Sequence, residues 1–165
     1  MEINADDGKA LDAAESVLDV ADAVRHAARS CSGADGATFV VREGATCFYV
    51  DEDAIAPLWK GQRFPIETCI SGWAMLHDTT AVVPDVELDP RIPIAAYRPT
   101  FVRSLAMVPV GGPEPVAAIG VYWASRHEAS RSELDAVARL AALTADVLRR
   151  VGLDDAPWAP NFTGR

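Results

Sequence analysis

Several things that this chain lacks narrow its possible roles. Cysteine is scarce: Cys31, Cys47 and Cys69 are the only three, an odd number with no CxxC spacing. That speaks against a disulfide framework and suits a reducing compartment, with each thiol serving as a small buried hydrophobe. Long apolar runs are also missing, and no stretch approaches the roughly 18 apolar residues of a membrane span. The start, from Met1 through Asp7, has no basic region followed by an apolar one and does not read as a secretory signal. Positive charge is outweighed, with 15 Lys and Arg against 24 Asp and Glu and a net charge of −9. Such a surface repels phosphate backbones and anionic headgroups, so neither a nucleic acid nor a membrane is expected as partner. A cytoplasmic location is the expectation.

Catalytic and metal signatures are missing as well. There is no GxSxG elbow, no glycine-rich phosphate loop and no HExxH. His26, His77 and His127 stand far apart, with no HxxxH or paired Cys/His spacing, so a zinc site has no support. Asp85, Glu87 and Asp89 alternate like the first ligands of a calcium loop. Pro90 occupies the position that needs glycine, and Ala96 the one that needs glutamate. The better use of Asp85 and Asp89 is to accept backbone N–H groups within a loop.

What is present is a globular composition. The 165 residues, half of them hydrophobic and a quarter charged, suit one domain with a substantial core. Residues 1–9 read as a flexible tail, 10–152 as the domain and 153–165 as a second tail. Leu11, Ala14, Leu18, Ala21, Val24 and Ala28 recur at helical spacing and predict a first helix. Residues 37–42 and 45–50 flank Glu43-Gly44 as a β-hairpin. Residues 62–66 and 79–83 read as short strands, with a short helix over 71–77 capped by Ser71. Residues 84–100 form a long proline-bearing loop. The segments 101–110 and 116–123 predict a second hairpin. A last helix opens at Ser130 or Ser132, with Glu133 in its first turn, and stops at Gly152. Hairpins imply antiparallel pairing, and the long helices must bury their stripes on one sheet face.

This order carries local patterns that sharpen it. They are Cys69-Ile70-Ser71-Gly72-Trp73-Ala74, Ala81-Val82-Val83-Pro84-Asp85-Val86, Asp89-Pro90-Arg91 with Tyr97-Arg98, the run 102–110, and Gly120-Val121-Tyr122-Trp123. Together they resemble the GAF domain family, most closely the modules of bacterial two-component sensors, over residues 10–152. The resemblance implies an α+β fold with a six-stranded antiparallel sheet. The N- and C-terminal helices lie on one face, and the short helix and long loop cap a pocket on the other. It also implies a homodimer through the terminal helices and an output protein, such as a histidine kinase acting in trans. GAF domains bind diverse small molecules, and many have no known ligand.

Candidate ligand-binding residues are Trp73, Asp85, Arg91, Tyr97, Phe101, Arg103, Ser104 and Tyr122. Trp73, Tyr97, Phe101 and Tyr122 could line an apolar pocket or pack as core. Arg91, Arg98 and Arg103 could converge on an anion or pair with the loop acids. Alternation along 101–110 places Arg103 beside Leu105 and Met107 on an apolar face, where it needs a partner.

The same resemblance supplies catalytic comparisons. GAF proteins that reduce free methionine sulfoxide carry a nucleophilic cysteine where this chain has Ser71. A serine hydroxyl cannot do that redox chemistry. Cys69 lies two residues earlier and remains a possible redox thiol. No cysteine is followed by histidine, which speaks against a covalent bilin, and His77 is only a remote haem ligand candidate. The expectation is a non-catalytic sensing or transmitting module. The alternatives are a purely structural dimerisation module with a filled pocket, and a thiol protein using Cys69. The chain reads either as stand-alone or as a piece of a larger sensor.

Overall fold

Short polar side chains punctuate the N-terminal region. Asn4 accepts the Asp7 N–H and Ser16 accepts the Asp19 N–H, so α1 (Ala5–Asp12) and α2 (Val17–Ser32) each begin at a satisfied cap. The computed structural model describes residues 2–153. The expected tail over 1–9 is thereby corrected: most of it belongs to α1, and buried Asp7 ties it to His26 Nδ1 of α2 at 2.7 Å. The expected single helix is two, and Leu18 falls on the outer side while Val17, Val20, Val24 and Ala27 fill the core. The expected C-terminal tail lies outside the described residues from 154 onward.

Gly44, at φ +59°, turns β1 (Gly36–Glu43) into β2 (Thr46–Ala54). Short β3 (Arg63–Pro65) and β4 (Ala81–Val83) follow, then β5 (Ser104–Val110) and β6 (Ala117–Trp123). The six strands form one sheet in the order β3-β2-β1-β6-β5-β4, antiparallel throughout. Between the strands lie α3 (Ile70–His77), a single 3-10 turn at Val86–Leu88 and α4 (Ile94–Tyr97). Ser130 alone opens α5 (Arg131–Val151), through a capping box with Glu133.

Alternation along the strands divides the core in two. Phe48 and Val50, Ala106 and Val108, and Ile119 and Val121 face α2 and α5, which also pack on each other. Cys47 and Tyr49, Leu105 and Met107, and Ala118 and Tyr122 face the opposite side, under α3 and the loops. β5 starts at Ser104 and not at Phe101, because Arg103 bonds through its backbone to Trp123 and Val86 outside the regular ladder. Among the described residues no helix is long and apolar enough to cross a membrane.

Candidate functional site

The second sheet face holds the site, and its walls are built from sequence-distant pieces. On β2, Cys47 and Tyr49 point to it because they are two residues apart in a strand. After Ala54 the chain turns over the sheet, and the Glu52 carboxylate gathers that turn. It accepts the N–H groups of Leu58, Trp59 and Lys60 at 2.8, 2.9 and 2.9 Å. Three donors on one carboxylate fix the backbone and drive the Trp59 ring inward, where it is 4% exposed. The Trp59 indole N–H then donates to the Ala96 carbonyl at 3.1 Å and joins this turn to the long loop.

Aromatic rings meet around that link. Trp59 lies 4.6 Å from Tyr97, 5.7 Å from Tyr49 and 5.5 Å from Tyr122 by ring centroid, and Phe64 meets Tyr49 edge-on at 5.5 Å. Tyr49, Trp59, Phe64, Cys69, Pro93, Ala96 and Tyr97 border a cavity of about 10 Å³, the room a single water needs. Its lining holds no arginine, lysine, histidine or carboxylate side chain.

The polar groups beneath the rings are mostly satisfied. The Tyr49 hydroxyl bonds Ser71 Oγ at 3.0 Å, Ser71 Oγ bonds Cys69 Sγ at 3.3 Å, and the Tyr122 hydroxyl bonds Thr38 Oγ1 at 2.8 Å. The Tyr97 side chain is buried and lines the cavity. Burial pushes the Tyr49, Tyr97 and Tyr122 phenols up, which keeps all three protonated and able to donate. Cys69 moves the other way, its anion favoured first by the Cys47 thiol and then by the Ser71 hydroxyl, against the effect of burial. Cys47 is pushed up by the same pairing and by burial.

Two glycines make this layer possible. A Cβ on Gly72 would sit 1.7 Å from the Ile66 carbonyl oxygen, so only glycine lets α3 touch that backbone. A Cβ on Gly120 would sit 2.4 Å from the Tyr122 hydroxyl, which folds back over the bare backbone to reach Thr38. Ser71 is not the N-cap expected from the sequence. The helix starts one residue earlier with Cys69 at the cap, and Ser71 is fully buried against Tyr49.

The structure scatters most of the other candidates. Tyr97 and Cys69 border the cavity, and Tyr122 supports it through Trp59. Trp73 is half-buried at the edge of the same core and does not border the cavity; it stacks on His77 at 4.6 Å with the Arg91 guanidinium 4.4 Å from its ring centre. Arg91 grips Asp89 at 3.0 and 2.6 Å, and Asp89 also accepts the Arg91 N–H at 2.9 Å. That grip holds the Asp89 carboxyl below its ordinary range and raises the Arg91 guanidinium. Asp85 caps the 3-10 turn through the Glu87 N–H and pairs with Arg126 at 3.1 Å. Arg98 reaches Glu87 at 3.6 Å. The arginines therefore do not converge. Arg103 is corrected from inward-facing to exposed, because it precedes the strand whose alternation was extended to it. Ser104 is buried, but its hydroxyl donates to the Ser125 carbonyl at 2.7 Å. Phe101 is half-buried near Gly36.

Sequence reasoning missed Tyr49, Trp59, Phe64 and the Glu52 anchor. The period-two pairing of Cys47 with Tyr49 was the one available signal. Nothing local marks Trp59, which follows a mixed connection.

With the fold and cavity described, comparison with known proteins places the chain. The family model for the GAF domain matches residues 14–149, and the chain belongs to that family. A search of curated proteins finds no match. Solved structures match well in shape at low identity. The GAF domain of an Acinetobacter phosphoenolpyruvate-protein phosphotransferase aligns with a TM-score of 0.75 at 11% identity, covering 88% of this chain and 89% of that one. Residues 122 to 287 of a methyl-accepting chemotaxis protein align at 0.75 and 15% identity, covering 88% and 96%. The free methionine-R-sulfoxide reductase of Neisseria meningitidis, solved with its substrate, aligns at 0.73 and 15% identity, covering 88% and 85%. These likenesses are to the fold.

Proposed function

We propose that the chain is a non-catalytic sensing module of a bacterial signalling system, of two-component type, working in the cytoplasm. The observation that carries this reading is the aromatic cavity bordered by Trp59 and the buried side chain of Tyr97. Burial keeps the Tyr97 phenol protonated, so it can donate a hydrogen bond to a ligand that enters. A lining without arginine, lysine or histidine suits a small neutral molecule with a polar atom aimed at Tyr97, and an anion has no cation there to meet it. Entry requires Trp59 and Tyr97 to part, which moves the turn held by Glu52 and the long loop together.

The output follows from the terminal helices. Leu18 on α2 and Leu143 on α5 are 49% and 43% exposed, and they motivate a homodimer that passes the movement to an output protein such as a histidine kinase in trans. Sedimentation that finds only monomer at high concentration counts against this part.

A purely structural module is the second reading, favoured by the size of the cavity, which side chains already nearly fill. Native mass spectrometry on protein from its own host, followed by denaturation, separates the two. A small bound mass that is released on denaturation and is missing from Tyr97→Phe supports sensing. Protein that carries no mass, and gains none from a metabolite extract of that host, ends the sensing reading in favour of the structural one.

A further inference from the structure

Cys47 and Cys69 lie 22 residues apart in sequence yet share one buried layer. Three observations bring the two residues to one place. Cys47 and Tyr49 share a face of β2, and the Tyr49 hydroxyl bonds Ser71 at 3.0 Å. Ser71 in turn bonds Cys69 Sγ at 3.3 Å. The register of β2 with β3 also sets Cys47 opposite Phe64, and Phe64 and Cys69 border the same cavity.

The surroundings of the two sulfurs differ in a useful way. Cys69 caps α3 and borders the water-sized cavity, so a small molecule entering there meets its sulfur. Cys47 is fully buried beside it. The N–H groups of Gly72 and Ser71 add to the favouring of a Cys69 anion. The third cysteine is a built-in contrast. Cys31 sits in the opposite core layer, its thiol donates to the Ala28 carbonyl at 3.7 Å, and burial with the nearby Asp7 charge pushes it up to about 11.

We infer that Cys69 and Cys47 form a peroxide-reactive thiol pair, with Cys69 the attacking sulfur and Cys47 the resolving one. The oxidant is hydrogen peroxide. The Cys69 thiolate attacks one peroxide oxygen, the O–O bond breaks, and hydroxide leaves to be protonated to water. Cys69 is oxidised to a sulfenic acid as the peroxide is reduced. The Cys47 sulfur then attacks the Cys69 sulfur, an S–S bond forms, the S–O bond breaks, and water departs with the Cys47 proton. A dithiol reductant reverses the change. The crosslink joins β2 to the start of α3 beside the Tyr49–Ser71 bond. It does not depend on ligand sensing, because it can form in a module that binds nothing.

The test treats the full chain with hydrogen peroxide, quenches by alkylation at intervals, and maps peptides by mass spectrometry without reduction. The expected product is an intramolecular Cys47–Cys69 crosslink, with Cys31 still alkylated. Cys69 should be consumed about tenfold or more faster than Cys31. In Cys47→Ser the reaction should stop at a Cys69 sulfenic acid that dimedone traps, and in Cys69→Ser both remaining thiols should stay reduced. The wild-type rate should also level off below the pH, near ~8.5, at which an ordinary thiol is still gaining anion. A Cys69 that reacts no faster than Cys31, or a crosslink to Cys31 or to a second chain, overturns the inference. The wild-type comparison stands even if a variant fails to fold.

Discussion

On one face of the sheet, α2 and α5 lay Val20, Val24, Val137 and Leu140 over Phe39, Ile119 and Val121. On the other, Tyr49, Trp59, Tyr97 and Tyr122 crowd beneath a short helix and two loops. The strands are the same, but the covers differ. A long helix satisfies its own backbone, so an apolar stripe is all it must bring. A loop leaves N–H groups to be met by side chains, and here Glu52, Asp85 and Asp89 meet them. Polar anchoring and imperfect filling come together on that second face. The difference separates a densely filled face from one that retains a small cavity.

The largest expected effect tests the helix face. Leu140→Ala should cost about 3 kcal/mol in urea unfolding, because it empties a fully buried site between α5 and the sheet. Cys69 reactivity and any bound mass should stay unchanged, and if they change too, the two faces are not separate units. Glu52→Ala should cost about 2 kcal/mol, since Leu58, Trp59 and Lys60 lose one shared acceptor. Hydrogen exchange should rise at residues 58–60 and hardly at all in α5, whereas uniform loss would erase the contrast. Tyr122→Phe should cost about 1 kcal/mol by leaving the Thr38 hydroxyl unpaired under the pocket.

The smallest effect is pH-dependent. Arg91 depresses the folded-state pKa of Asp89, so this pair stabilises the protein above the usual carboxylate range. The contribution is lost as pH falls through that range and below it, where Asp89 protonates. Asp89→Asn should therefore cost about 0.5 kcal/mol at neutral pH and progressively less as the solution is acidified below the ordinary Asp pKa. A cost that is the same at both pH values would mean that the loop is held by packing and not by the Asp89 charge.

Much of the helix face was legible in advance because its signals are local. The stripe of α5 and its Ser130 and Glu133 cap, the Glu43-Gly44 turn of β1 and β2, and the alternation of β5 all lie within a few residues of one another. Local signals mislead where they outrun the element that makes them: strand alternation does not extend from Ser104 back to Arg103, and the helical stripe is broken at the Ser16 cap. The pocket is less legible because most of its residues lie outside the motif-bearing loop. Arg91 and Asp85 turned out to hold that loop in place, while Tyr49 and Trp59 came from segments that carry no motif.

By itself the sequence determined the GAF class, an antiparallel sheet with long helices, and a net negative charge. Composition and periodicity are properties of neighbours along the chain and survive without a fold. Only the tertiary structure decided that Cys47, Tyr49, Trp59, Cys69 and Tyr97 share one layer. Their meeting depends on the side that β2 presents, on a carboxylate reaching across a turn to three N–H groups, and on glycine at 72 letting α3 close against Ile66. Those are contacts between distant parts of the chain, and the physical chemistry of each residue alone does not specify its partner.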